Sequence, residues 1–278
     1  MNKQIDIINS IISDVKSYDD FKDVSFDNID KIHITIIDNA IKWLGKVVPS
    51  RLNDNLVFEL FIQNSVIDDL FSGDENKILF AKSIILHELY HIKELTLTNK
   101  IIDIMPIYSI KKDCTMSLLL NLGYMQWSEY YAHFNSAKHY HSSTNIADSI
   151  YQSEISLTAL KHQLDNESQV IMPEFMYDNI NDFISKTIKL AAIYNQTHDD
   201  HFLEPIHEYN HRKLYQYHYK YIYTIISYMD KFYQTYPSWI SEKSFLEIGK
   251  KLFSIINDYD ITYSTSDLSD NFIFKSSK

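Results

Sequence analysis

The chain has 278 residues, 45% of them hydrophobic and 23% charged, enough apolar material for a sizeable core in one large domain or two small ones. Lys and Arg number 26 against 37 Asp and Glu, a formal net charge of -11, which argues against the basic footprint of a nucleic-acid binder. The 4 glycines are isolated, so neither a dinucleotide-binding nor a phosphate-binding glycine loop exists, and with only 5 prolines the chain favours long helices over many-stranded β folds.

Ile5, Ile8, Ile12 and Val15 recur at helical spacing and predict an amphipathic helix over 4–16. The alternating, β-branched run at 31–37 reads as a strand, and 55–62 is a second strand candidate. Between them Pro49-Ser50 breaks any helix. Ser72-Gly73-Asp74-Glu75 opens the next element. Ser72 with Glu75 fits a capping box, and Asp74 is the alternative cap. From there to about Leu97 the chain is apolar on most faces, so a buried helix is expected.

Pro106 ends the following turn. Helices are predicted over 113–140 and 146–165, then from Pro173 to about Asn195. A connector at 198–205 precedes a helix over 206–236, in which Leu214, Tyr221 and Tyr228 repeat every seven residues. A last helix at 241–257 leads into a Ser-rich tail. The expected fold is mainly α with a small β-sheet (α+β). It divides into a core over 1–165 and a helical C-terminal region over 166–278 packed on it, or forms one continuous domain. Cys114, the only cysteine, excludes an intramolecular disulfide and a thiolate zinc knuckle. The opening residues lack the apolar run and cleavage site of a secretory leader. The longest apolar runs, near 84–86 and 118–120, fall far short of a membrane span. A cytoplasmic protein with no membrane contact is expected.

Residues 84–92 read Ile-Ile-Leu-His-Glu-Leu-Tyr-His-Ile, an H-E-x-x-H motif with His87, Glu88 and His91. On a helix, positions i and i+4 lie on one face, so both imidazoles can share one ion, with Glu88 beside them to take a proton from a water there. Neutral imidazoles suit Zn2+, and a catalytic zinc keeps three protein ligands and one open position. With 12 His and 12 Glu in the chain, composition alone yields only about 0.02 such matches. The apolar flanks Ile84, Ile85, Leu86, Leu89 and Ile92 set this copy in a buried helix. A second literal match, His207-Glu208-Tyr209-Asn210-His211, follows Pro205 and precedes Arg212 and Lys213. It reads as a solvated first turn.

The residues leave three candidates for the third ligand: Glu94, Glu129 and His133. Glu94 follows His91 by three residues on the same helix, which suits a supporting role better than a third bond to a tetrahedral ion. Glu129 lies in Gln126-Trp127-Ser128-Glu129-Tyr130-Tyr131-Ala132-His133-Phe134, 38 residues beyond His91, with His133 one turn later.

H-E-x-x-H followed by E-x-x-A on a second helix, here Glu129-Tyr130-Tyr131-Ala132, resembles the gluzincin metallopeptidases, and in look most closely the ImmA/IrrE-type bacterial enzymes. The likeness covers roughly residues 30–140. Two positions depart from it: Tyr90 stands where the family usually has glycine, and Tyr131-Ala132-His133 replaces a Glu-Ala-Asn run. The resemblance implies a zincin-like core, His87, His91 and Glu129 as ligands of Zn2+, Glu88 as general base, and hydrolysis of a peptide bond in a specific intracellular protein. It also implies that an edge strand, here 55–62, binds extended substrate by strand addition. The competing reading is a non-catalytic helical interaction protein that retains such a site for structure, its sphere closed by His133 or Glu94.

Overall fold

The β-branched run near the N-terminus forms strand β1 (Ile32–Ile37) in the computed structural model. The structure describes residues 2–21, 32–37, 43–53, 55–108, 115–139, 146–167, 173–211, 216–259, 261–265 and 272–276. Before β1 lies helix α1 (Asn2–Lys16), which buries Ile8, Ile12 and Val15 along the predicted stripe. After it come β2 (Gly45–Leu52) and β3 (Asn55–Gln63).

The three strands make a mixed sheet in the order β1-β3-β2, with β1 parallel and β2 antiparallel to β3. Two expectations change here. The stretch read only as a helix break at Pro49-Ser50 is a strand, and proline is tolerated in it because β2 lies at the sheet edge. The segment 55–62, expected at an edge, is the central strand. It is paired from Ile32–Phe58 to Ile37–Gln63 on one side and from Gly45–Ile62 to Leu52–Asn55 on the other, so over Phe58–Ile62 both of its edges are already taken. Its Leu56, Phe58, Leu60 and Ile62 alternate into the core, as a period of two requires. The β2–β3 hairpin turns at Asn53, which takes up a left-handed φ of 49°.

β3 runs directly into α2 (Asn64–Leu70), after which Gly73 turns the chain at φ 73° into α3 (Glu75–Asn99). Of the two cap readings Asp74 is the cap: its carboxylate accepts from the amides of Asn76 at 2.9 Å and Lys77 at 3.3 Å. Ser72 supports it by accepting the Asp74 amide at 3.1 Å. α3 is buried on most of its circumference, from Ala81 through Ile85, Leu86, Leu89, Ile92 and Leu95 to Thr98. The short α4 (Met105–Tyr108) precedes α5 (Thr115–Ala137). Residues 1–105 and 131–143 form one compact unit, which holds α1 to α3, the sheet and the last two turns of α5.

The second unit holds residues 106–130 and 144–278. Its helices are the first part of α5, α6 (Ile146–Glu167), α7 (Pro173–Thr197), α8 (Glu204–His211), α9 (Gln216–Gln234) and α10 (Glu242–Phe253). The single helix expected over 206–236 is therefore two, α8 and α9, with residues 212–215 outside the described part. The helix expected to reach 257 ends at Phe253 in a tighter 3-10 segment, and the Ser-rich tail contains an antiparallel pair, β4 (Ile261–Thr265) and β5 (Phe272–Ser276).

Inside this unit, Trp127 is fully buried among Tyr130, Tyr233, Tyr236 and Trp239. Asn195 donates to both the Tyr130 hydroxyl and the Ile226 carbonyl, at 2.8 and 2.9 Å. α5 and α10 cross backbone against backbone at Gly123 and Gly249. A Cβ on Gly123 would stand 1.8 Å from the Phe245 carbonyl oxygen, and one on Gly249 would stand 1.9 Å from that of Leu119. The architecture is mainly helical with a small mixed sheet, as an α+β chain should be. No described helix is long and apolar enough to cross a membrane.

Candidate metal centre

The H-E-x-x-H turn sits midway along α3, where Ile85, Leu86, Leu89 and Ile92 are buried and leave the two histidines half-buried. One helical turn brings the His87 and His91 Nε2 atoms to 3.0 Å, with the rings at 87° to each other. Two nitrogens on one tetrahedral zinc, at about 2.05 Å each, stand about 3.3 Å apart, so the side chains already lie close to a chelating arrangement. Glu129 on α5 completes the group: one ligand atom from each of His87, His91 and Glu129 lies within 4.8 Å of the others.

Among the described residues no other three His, Cys, Asp or Glu side chains gather in this way. Two imidazoles and one carboxylate form a donor set suited to a dication of intermediate softness, with a coordination position left over. The residues therefore fit a metal ion.

The rival ligands fall elsewhere. Glu94 is completely buried and accepts the Thr98 hydroxyl at 2.6 Å within its own helix. His133 does not enter the three-atom group; its ring lies against that of His87, centroids 4.2 Å apart and planes tilted by 43°. The second H-E-x-x-H copy, expected in a first turn, instead fills the last five residues of the short α8, and His207 is exposed with its Nε2 3.0 Å from the Tyr223 hydroxyl. The side chains of Glu208, His211 and His218 lie outside the described residues, as do Cys114 and His141. His139 is exposed and stacks on Tyr18, and His201 pairs with Glu204 at 3.2 Å.

Glu88 is 6% exposed, in keeping with its place on the buried face of α3. The start of β2 packs directly on it. A Cβ on Gly45 would fall 2.8 Å from Glu88 Cγ and 3.0 Å from its Oε1, so the absence of a side chain at 45 leaves the carboxylate its position. Gly45→Ala should destabilise the protein by about 1–3 kcal/mol through this overlap. In a Glu88→Ala background the cost should drop by more than half, because the atoms that collide are gone. Urea unfolding of the four proteins measures the coupling, and additive costs would remove the contact from the account.

Two features lay beyond the reach of sequence. Lys189 on α7 is close enough to Glu129 for the carboxylate to act on it. Burial pulls the Lys189 ammonium below its ordinary pKa, and the Glu129 charge partly offsets that. Its only mark in the sequence is a lone cation between Ile188 and Leu190. Tyr90, where glycine was expected by resemblance, is fully buried, with Phe21 at 4.7 Å and Tyr131 at 6.5 Å between ring centroids. Its hydroxyl approaches His139 Nε2 at 3.4 Å. The bulk of a tyrosine is thus taken up by packing on the side of α3 that carries Tyr90. Compared with known protein families, with curated proteins and with solved structures, the chain matches none of them.

Proposed function

We propose that this chain is a zinc-dependent metallopeptidase of the gluzincin type, acting on a peptide bond of a specific protein substrate. The observation that carries the reading is the convergence of His87, His91 and Glu129 from two helices, with Glu88 next to His87 in the same buried turn. A purely structural site has use for the three ligands but none for a buried carboxylate beside them, whereas hydrolysis needs one.

In this reading His87, His91 and Glu129 hold the ion. Bound zinc supplies Lewis acidity toward the scissile carbonyl and toward the attacking water. Glu88 accepts the proton of that water and returns it to the departing amine, and the close seat against Gly45 keeps its carboxylate in one orientation. Substrate pairs in extended form along β2, the edge strand that packs on α3, in place of the role first expected for 55–62.

Elemental analysis of the purified protein is the direct test, with about one zinc per chain expected in the wild type and in Glu88→Gln alike. Comparison of protein N-termini in lysates treated with each should then reveal new termini made by the wild type alone. A wild type that takes up no zinc even when it is supplied would overturn the reading. So would a set of termini that does not change between the two proteins.

A further inference from the structure

We propose that His133 is a positioning residue for the metal centre, fixing the plane of the His87 imidazole rather than binding the ion itself. The inference rests on the metal reading above and adds a fourth residue to it. His133 lies one turn beyond Glu129 on α5 and is half-buried. Its ring covers His87 at 4.2 Å and 43°, while His91 meets the same ring edge-on at 4.6 Å and 87°. Yet His133 contributes no atom to the group formed by His87, His91 and Glu129.

An imidazole that binds through Nε2 can still turn about its Cβ–Cγ bond, and turning carries the nitrogen lone pair off the ion. Outer contacts of this kind orient ligands and set metal affinity. Here the restraint comes from a ring lying against a ring, so another flat aromatic side chain of similar size should supply it as well. Alanine should not.

The test is titration of metal-free protein with Zn2+ in competition with a chromophoric chelator, together with the visible absorption bands of the Co2+-loaded form. Wild type, His133→Ala and His133→Phe are compared, with circular dichroism as the check on folding. His133→Ala should weaken zinc binding by about 10–100-fold and alter the cobalt bands. His133→Phe should stay within about threefold of wild type and keep its bands. An alanine variant that binds like wild type would overturn the proposal. A phenylalanine variant as weak as the alanine one, with changed cobalt bands, would also overturn it and make the His133 nitrogen a ligand. A wild type that binds neither metal would instead remove the metal reading itself, and the proposal would fall with it.

Discussion

Glu129→Gln should weaken zinc binding by at least about 100-fold, since one of three protein ligands carries several kcal/mol of a structural-scale metal affinity. His87→Ala should do at least as much. Glu94→Gln should leave affinity nearly untouched, because that carboxylate, which accepts the Thr98 hydroxyl at Oε1, takes no part in the group. Glutamine is preferred to alanine at 129 because it keeps the volume of the side chain beside α7. Lys189 is partly buried, and the Glu129 charge offsets some of the desolvation that lowers its pKa. Either substitution strips that charge away, but alanine would open a gap as well, so a loss of metal could more easily be confused with a loss of fold. Competition with a chelator of known affinity, run beside thermal unfolding of the same samples, separates the two. Zinc retained at wild-type affinity in Glu129→Gln would show that the third bond comes from somewhere else.

Gly123→Ala and Gly249→Ala should each cost more than about 4 kcal/mol, a loss seen only when a core cannot adjust. The added methyl would meet main-chain atoms, at 1.8 Å from the Phe245 oxygen and 1.9 Å from the Leu119 oxygen, not the end of a side chain that could swing aside. Carbon–oxygen contact needs roughly 1.5 Å more than that, so α5 and α10 must part. Parting them would pull Tyr124 from Phe245, whose rings now meet edge to face at 5.1 Å. Trp127 and Trp239 belong to the same unit and make tryptophan fluorescence a fair reporter of its unfolding in urea. Gly73→Ala is the control: its Cβ would meet nothing within 4 Å, and only its φ of 73° resists, for about 1 kcal/mol. Equal costs at all three positions would refute the backbone crossing.

What could be read in advance divides along physical lines. α1 and α3 announced themselves through local periodicity, and Asp74 was one of two caps that the residues allowed. The His87–Glu88–His91 turn was legible because two ligands and a base are set by one helix, with no tertiary information. Glu129 was not legible from spacing alone. Only the likeness of its surroundings to a second motif singled it out from His133 and Glu94, and the nearness of its carboxylate to the two histidines is a tertiary fact that no local pattern carries. β2 escaped notice because Lys46, Pro49, Ser50 and Arg51 blur its alternation, as the outer strand of a sheet permits. The order of strands is a long-range property, which is why β3 was taken for an edge. Gly123 and Gly249 stood out as rare glycines, but nothing local says that they meet.

The sheet order also sets a sequence of assembly. β2 and β3 are neighbours along the chain and close about Asn53, so they form a local hairpin of the kind that zips up within about 1–10 μs. β1 is different: it must reach past β2 in sequence to lie parallel to β3, and its pairing pays a loop-closure entropy that the hairpin avoids. On loop-closure grounds, then, the strand that comes first in the chain should be the last to join the sheet, and until it does the backbone edge of β3 at Phe58–Gln63 lacks a partner on that side.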